Sequence, residues 1–306
     1  MRHPCNNSLL VALLALLSLT EVHGKEQIHY EKLIYELSGD RASVVGWADS
    51  TYSQLIIPQT IVWDGKPYIT TSIADNAFIR CRNLNSVVLP ESIRRIGSLA
   101  FAFCTDLHEI IIPSTIDTIC TDAFYRCDGL PIEGGIHYAG CFLANVSDCD
   151  AQHLVIREGC RFIGDNAFSE CHKLISVKIP ESVKVIGNFA FAGCNSLKQL
   201  YIPESVETIG SSAFAMCSVL EIIHLPANVQ SYSFDLLIDC NSLKELYITS
   251  EYPPSIMDFV GTHNPAIDNF HRFNPERCVL YVPRDSRKLY RDSSGWRSFK
   301  KIKVLK

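Results

Sequence analysis

The sequence predicts a solenoid, in which short coils stack into a parallel β-sheet on one face and short strands and short helical turns line the other. Three observations predict it. Ile179 to Tyr201 and Ile202 to His224 match at 12 of 23 positions without a gap, so the chain repeats itself. Phe78, Phe101 and Phe124 lie 23 residues apart, and Phe168, Phe191 and Phe214 keep the same interval. Cys81, Cys104, Cys127, Cys149, Cys171, Cys194, Cys217 and Cys240 follow one another at steps of 22 or 23. A period of that length is one supersecondary unit, too small to bury its apolar face alone and stable only between stacked neighbours. One domain over residues 25–306 is therefore expected, with an N-terminal cap (25–54), repeats (55–250) and a C-terminal cap (251–306).

Ahead of that domain, residues 1–24 have the layout of a cleavable export signal: Arg2, an apolar run from Leu9 to Leu19, and Val22 and Gly24 before the cut. The run falls short of the roughly 20 residues that span a bilayer, and no later stretch supplies them, so no transmembrane segment is expected in the mature chain. Ile28 to Leu37 and Ala42 to Trp47, joined at Ser38, Gly39 and Asp40, read as a β-hairpin lid on the apolar end of the stack. Leu55, Ile57 and Pro58 open the first coil. Asp64 and Gly65 then mark a tight hairpin turn inside an insertion.

One regular unit explains the rest. Leu197, Leu200 and Ile202 are apolar and Tyr201 between them faces out, as a strand requires; Pro203 stops the strand because it lacks a donor. Val206, Ile209 and Gly210 return along the far side, the glycine permitting the bend. Next comes a short polar residue in unit after unit, namely Asp75, Ser98, Thr121, Asp165, Asn188 and Ser211. Such residues cap helix starts, so a short helical turn carrying Ala213 and Phe214 inward is predicted. Leu130 to Asp150 breaks the pattern and predicts an extra strand pair or bulging loop rooted in the same stack. It also holds a glycosylation sequon at Asn145 to Ser147. Val279 to Pro283 reads as a last strand, and Asp285 to Lys306 as an amphipathic cap with Leu289, Tyr290, Trp296 and Phe299 turned inward.

Thirteen cysteines, one of them in the leader, would ordinarily suggest disulfides in an exported chain. Residues one repeat apart, however, point the same way, which is not the cross-facing geometry of a disulfide. The eight periodic cysteines are therefore expected as buried thiols, leaving Cys120, Cys141, Cys160 and Cys278 as the better disulfide candidates. No cysteine or histidine pairs have zinc spacing. A net charge of −5 argues against nucleic acid as the main partner, which selects a strongly basic face. The basic run from Arg284 to Lys306 reads as the solvated side of the cap.

The unit Leu-x-x-Leu-x-Ile-Pro-x-x-Val-x-x-Ile-Gly-x-x-Ala-Phe-x-x-Cys, as it stands from Leu197 to Cys217, closely resembles the BspA-type leucine-rich repeat of bacterial surface proteins. The opening run Ile28 to Trp47, the closing run Leu280 to Phe299 and the Pro253-Pro254 pair resemble that family's flanks. The resemblance implies a leucine-rich-repeat solenoid, curved and right-handed, capped by an N-terminal β-hairpin and a C-terminal amphipathic segment. It also implies export to the cell surface or extracellular space, with the periplasm as an alternative, often in gut or mouth Bacteroidetes, and adhesion to host proteins or other cells. No catalytic residues and no cofactor come with it.

On that fold the residues between core positions form exposed columns on the sheet. One column reads Val88, Ile111, Val155, Lys178, Tyr201, His224, Tyr247; beside it lie Lys198, Gln199, Glu221, Ile222, Lys244 and Glu245. Tyrosines among mixed charges on a rigid sheet suit a partner, because tyrosine gives large contact area at small entropy cost. The candidate binding face is therefore Lys178, Lys198, Gln199, Tyr201, Glu221, His224, Lys244, Glu245 and Tyr247, and the expected partner is a host extracellular or envelope protein. Glycan binding at the tyrosine-rich end is the alternative. An enzyme, with a site at the irregular coil 130–150, stands third: the histidines are scattered, no nucleophile or phosphate-loop motif occurs, and repeats line up like residues where catalysis needs unlike ones to converge.

Overall fold

The structure, a computed structural model, describes residues 27–48, 51–257 and 272–306, so the leader at 1–24 lies outside the described residues. The chain divides between Pro131 and Ile132 into two compact units.

The first unit holds β1 (Gln27–Tyr30), β2 (Leu33–Ser38), β3 (Arg41–Trp47), β4 (Gln54–Ile56), β5 (Thr60–Trp63), β6 (Lys66–Ile73), β7 (Ser86–Val88), β8 (Arg95–Ile96), β9 (Glu109–Ile111) and β10 (Thr118–Ile119). Two ladders result. β4, β7 and β9 pair in parallel and align Ile56, Val88 and Ile111. On the other side β1, β2 and β3 run antiparallel, after which β3, β6, β8 and β10 pair in parallel. The lid is thus a three-stranded meander and not one hairpin, because the run from Ile28 to Leu37 turns back at Glu31, which takes a left-handed φ of 52°. The Asp64-Gly65 turn forms as expected, both residues having positive φ, which lets a two-residue loop match the twist of β5 and β6.

The second unit holds β11 (Ile132–Glu133), β12 (Ile136–Ala139), β13 (Phe142–Val146), β14 (His153–Val155), β15 (Phe162–Ile163), β16 (Ser176–Lys178), β17 (Val185–Ile186), β18 (Gln199–Tyr201), β19 (Thr208–Ile209), β20 (Ile222–Leu225), β21 (Ser231–Ser233), β22 (Glu245–Ile248), β23 (Ser255–Met257), β24 (Val279–Val282), α1 (Arg287–Asp292) and β25 (Lys301–Val304). The irregular coil supplies an antiparallel meander, β11 to β13, whose last strand hands over to parallel β15, β17 and β19. Opposite it run the pair β14–β16 and the five-stranded parallel sheet β18-β20-β22-β24-β25. At the closing end Trp296 is fully buried and donates Nε1–H to the Pro254 carbonyl at 2.8 Å, while Tyr290 reaches the Ser250 carbonyl at 3.0 Å. Leu289, expected inward, is exposed. Adjacent residues on α1 point about 100° apart, and Tyr290 takes the core side.

The spine is a stack of phenylalanine rings. Centroids of Phe78, Phe101 and Phe124 lie 5.2 and 5.4 Å apart in the first unit, and those of Phe168, Phe191 and Phe214 lie 4.7 and 6.0 Å apart in the second. All six are buried. The segment around each ring is a pair of tight turns, not the helical turn expected. Residues two before and two after the ring adopt positive φ, such as Asn76 and Arg80 around Phe78 or Ser212 and Met216 around Phe214. This left-handed backbone costs a non-glycine residue roughly 1–2 kcal/mol. It is offset by turning the amides toward the neighbouring coil: Phe101 donates to the Ala123 carbonyl and Phe191 to that of Ala213, both at 2.8 Å.

Three of the short polar residues reach beyond their own turn. Asp75 Oδ1 accepts from Ser98 N, Asp165 Oδ1 from Asn188 N and Asn188 Oδ1 from Ser211 N, so each bonds to the next coil. Beside this rail the glycine is required by close approach, since a Cβ on Gly210 would lie 2.5 Å from Asn188 N and one on Gly97 2.4 Å from Asp75 N.

Seven of the periodic cysteines are buried thiols, whereas Cys149 is exposed. It falls in the turn at Asp148–Asp150 that follows the β11–β13 meander, where the coil has left the regular path. Cys120, Cys141, Cys160 and Cys278 are free thiols.

Candidate functional site

Parallel pairing places each outward residue of the five-stranded sheet beside its counterpart one coil on. Tyr201 aligns with His224, His224 with Tyr247, Tyr247 with Tyr281, and Tyr281 with Lys303. The neighbouring column aligns Gln199, Ile222, Glu245, Val279 and Lys301. Lys198, Glu221 and Lys244 form a third line, joined by backbone bonds from Glu221 N to the Lys198 carbonyl and from Lys244 N to the Glu221 carbonyl. Eight of the nine residues singled out from the sequence therefore border one sheet. Lys178 does not share it: it lies on β16, in register with Val155 on β14.

The aromatic column is a stack. His224 and Tyr247 lie 4.3 Å apart and nearly parallel (7°), and Tyr247 and Tyr281 lie 4.4 Å apart at 4°. Tyr201 is tilted 50° against His224 at 5.8 Å and stays 55% exposed, the most open ring of the four. Lys303 sits 5.9 Å from the Tyr281 centroid, a cation–π distance. Glu245 organises the middle of the column: Tyr247 donates its hydroxyl to Oε2 at 2.7 Å and Tyr281 reaches Oε1 at 3.4 Å. That bond, and then desolvation, push the Tyr247 phenol well above its usual range. Burial lowers the His224 pKa below 6.5, with Glu245 opposing, so the ring is neutral at neutral pH. Lys244 pairs with Glu221 at 2.9 Å, and its hydrogen bond is the main reason the Glu221 carboxyl is held below the usual range.

Tyr281 and Lys303 were missed by sequence reasoning. The step from Tyr247 to Tyr281 is 34 residues, not 23, so the period does not reveal it; the alternation of Val279 to Val282 was the available signal.

At the irregular coil, Arg157 donates to the Glu133 carboxylate at 2.9 Å and to the Gly140 carbonyl, and its guanidinium lies 4.2 Å from the centre of the Tyr138 ring. Glu133 is thus committed to an ion pair, and Arg157 to that pair and an aromatic face. A shallow cavity of about 360 Å³ in the first unit is lined by Arg41, Asp75 and Arg95, of which Asp75 and Arg95 pair with each other at 2.8 Å. Among the described residues, no three His, Cys, Asp or Glu side chains are grouped to hold a metal ion, and no helix is long and apolar enough to cross a membrane.

Stacked parallel coils with an outward aromatic column on a charged sheet define a leucine-rich-repeat scaffold. The chain belongs to the BspA-type leucine-rich repeat family, of which six copies match over residues 67–132 and 143–254. That family is a repeat scaffold, and membership points to a protein-interaction or surface role. Among solved structures, the chain is similar to a leucine-rich cell surface protein from Faecalibacterium prausnitzii (18% identity, 92% of this chain and 95% of that one, TM-score 0.45). It is also similar to a leucine-rich repeat protein from Bacteroides ovatus (20%, 91% and 76%, TM-score 0.39) and to a leucine-rich repeat protein from T. pallidum (27%, 76% and 86%, TM-score 0.32). No curated protein sequence matches significantly.

Proposed function

We propose that the protein is an exported, non-enzymatic binding protein that holds a protein partner on the outer face of the β18-β20-β22-β24-β25 sheet, as in adhesion to a host extracellular or envelope protein. The supporting observation is the aromatic column Tyr201, His224, Tyr247 and Tyr281, its last three rings stacked, flanked by Lys198, Gln199, Glu221, Lys244 and Glu245. Rings locked by their neighbours have little rotamer freedom left to lose when a partner arrives, and tyrosine is enriched at interface hot spots. The mixed charges beside them favour a polar protein surface over a polyanion. Stacking also speaks against a glycan, because a sugar packs on an open ring face and His224 and Tyr247 cover each other's. The export signal at residues 1–24 supports a location outside the cytoplasm.

The test is capture of host extracellular-matrix and envelope proteins by the purified mature chain, repeated with Tyr201→Ala and Tyr247→Ala together. A named protein held by the wild type and lost with the double variant supports the reading. Equal capture by both would move the site elsewhere, and selective sugar binding abolished by Tyr201→Ala alone would replace protein with glycan.

A further inference from the structure

Five periodic thiols share one arrangement. Cys104, Cys127, Cys194, Cys217 and Cys240 each donate Sγ–H to the carbonyl of a phenylalanine in the preceding coil, at 3.1, 3.0, 3.2, 3.1 and 3.0 Å. Cys171 lacks that acceptor: the position 26 residues earlier is Asn145 on β13, inside the meander that replaces a regular coil. Its Sγ instead meets Cys149 Sγ at 2.8 Å. A disulfide needs about 2.05 Å, so the two sulfurs are less than about 1 Å from bonding distance. Cys149 is exposed while Cys171 is buried, so one thiol of the pair is reachable from solvent and the other is shielded. At this pair the two sulfurs face each other, because the meander and the Asp148–Asp150 turn bring Cys149 in off the regular path.

We propose that Cys149 and Cys171 are a disulfide-forming pair, oxidised by a small-molecule or protein disulfide, which ties the opening meander of the second unit to its first regular coil. The Cys149 thiolate attacks one sulfur of the oxidant, releasing one thiol and leaving a mixed disulfide. Cys171 then attacks Cys149 Sγ and expels the second thiol. Two electrons pass from the cysteines to the oxidant, and the two protons end on the released thiols. Burial and the neighbouring Cys149 push the Cys171 pKa up, consistent with Cys149 attacking first.

The full chain is incubated with oxidised glutathione under native conditions, alkylated, digested and mapped by mass spectrometry. The expected result is a peptide joining Cys149 to Cys171, lighter by two hydrogens, with the buried periodic cysteines alkylated only after unfolding. Reduction should lower the melting midpoint by on the order of 5 °C, and Cys149→Ser, at an exposed position, should abolish both the link and this shift. Stable glutathione on Cys149 with Cys171 still a thiol would overturn the proposal, as would recovery of both residues as free thiols after oxidation.

Discussion

The two units build the same spine and present different faces. Each opens on an antiparallel meander, β1–β3 in one and β11–β13 in the other, and each hands over to a parallel ladder, through the longer β6 in the first unit and directly to two-residue strands in the second, beside stacked phenylalanines. At the outward position of the sheet strand, however, the first unit carries Ile56, Val88 and Ile111, where the second begins with Val155 and Lys178 and then carries Tyr201, His224, Tyr247 and Tyr281. Inward positions are fixed by what a coil must bury. Outward ones are free of that demand, and the change from aliphatic to aromatic there is therefore a signal about what the surface does. The repeated meander adds a second lesson: a coil end that starts a unit is covered by antiparallel strands, which satisfy its backbone groups without needing another repeat.

Substitutions in the shared spine should have the largest effect and should hit both units alike. Phe101→Ala and Phe191→Ala, each removing a fully buried ring stacked between two others, are expected to cost about 3–5 kcal/mol in chemical denaturation. An unshifted midpoint for either would mean that the ladders are not equivalent. Gly210→Ala should follow, at about 1–3 kcal/mol, because the new methyl meets Asn188 N and displaces the bond from Ser211. The faces should then part company. Tyr201→Ala with Tyr247→Ala should weaken partner binding at least about tenfold, roughly 1.4 kcal/mol, in surface plasmon resonance, whereas Ile111→Ala should leave it unchanged.

Smaller effects follow from charge. The folded pKa of His224 is lowered, so the folded chain binds its proton less readily than the unfolded one. Its contribution to stability is therefore complete above pH 6.5 and is lost as pH falls from there through the lower folded value. Melting curves of His224→Gln should lack that part of the acid slope, and an identical slope would show that the ring is not desolvated in solution. Smallest of all, Lys244→Ala should leave the melting midpoint unchanged, since both partners of its ion pair face solvent. A clear drop would reveal a coupling through the column that the exposed pair does not suggest.

Periodicity made the spine readable, because a phenylalanine every 23 residues can serve only one purpose in stacked coils. Tyr201, His224 and Tyr247 were equally accessible, being one period apart. What escaped was whatever depends on backbone direction or on a break in the count. The turn segments carry left-handed residues such as Leu99, Phe103 and Met216, and none of these side chains announces positive φ. Asp75 and Asn188 look like helix caps in one dimension, yet in three dimensions the nearest unpaired amide belongs to the next coil. Tyr281 was hidden by the longer interval before it, and the exposure of Cys149 by a spacing that stays regular while the path does not.

β25 is the outermost rung of its sheet, and its two outward side chains are Lys301 and Lys303. A second molecule bringing the same rim alongside would set ammonium groups against ammonium groups across a single strand spacing of about 4.8 Å. Growth by rung addition from a second molecule is thereby discouraged at this edge.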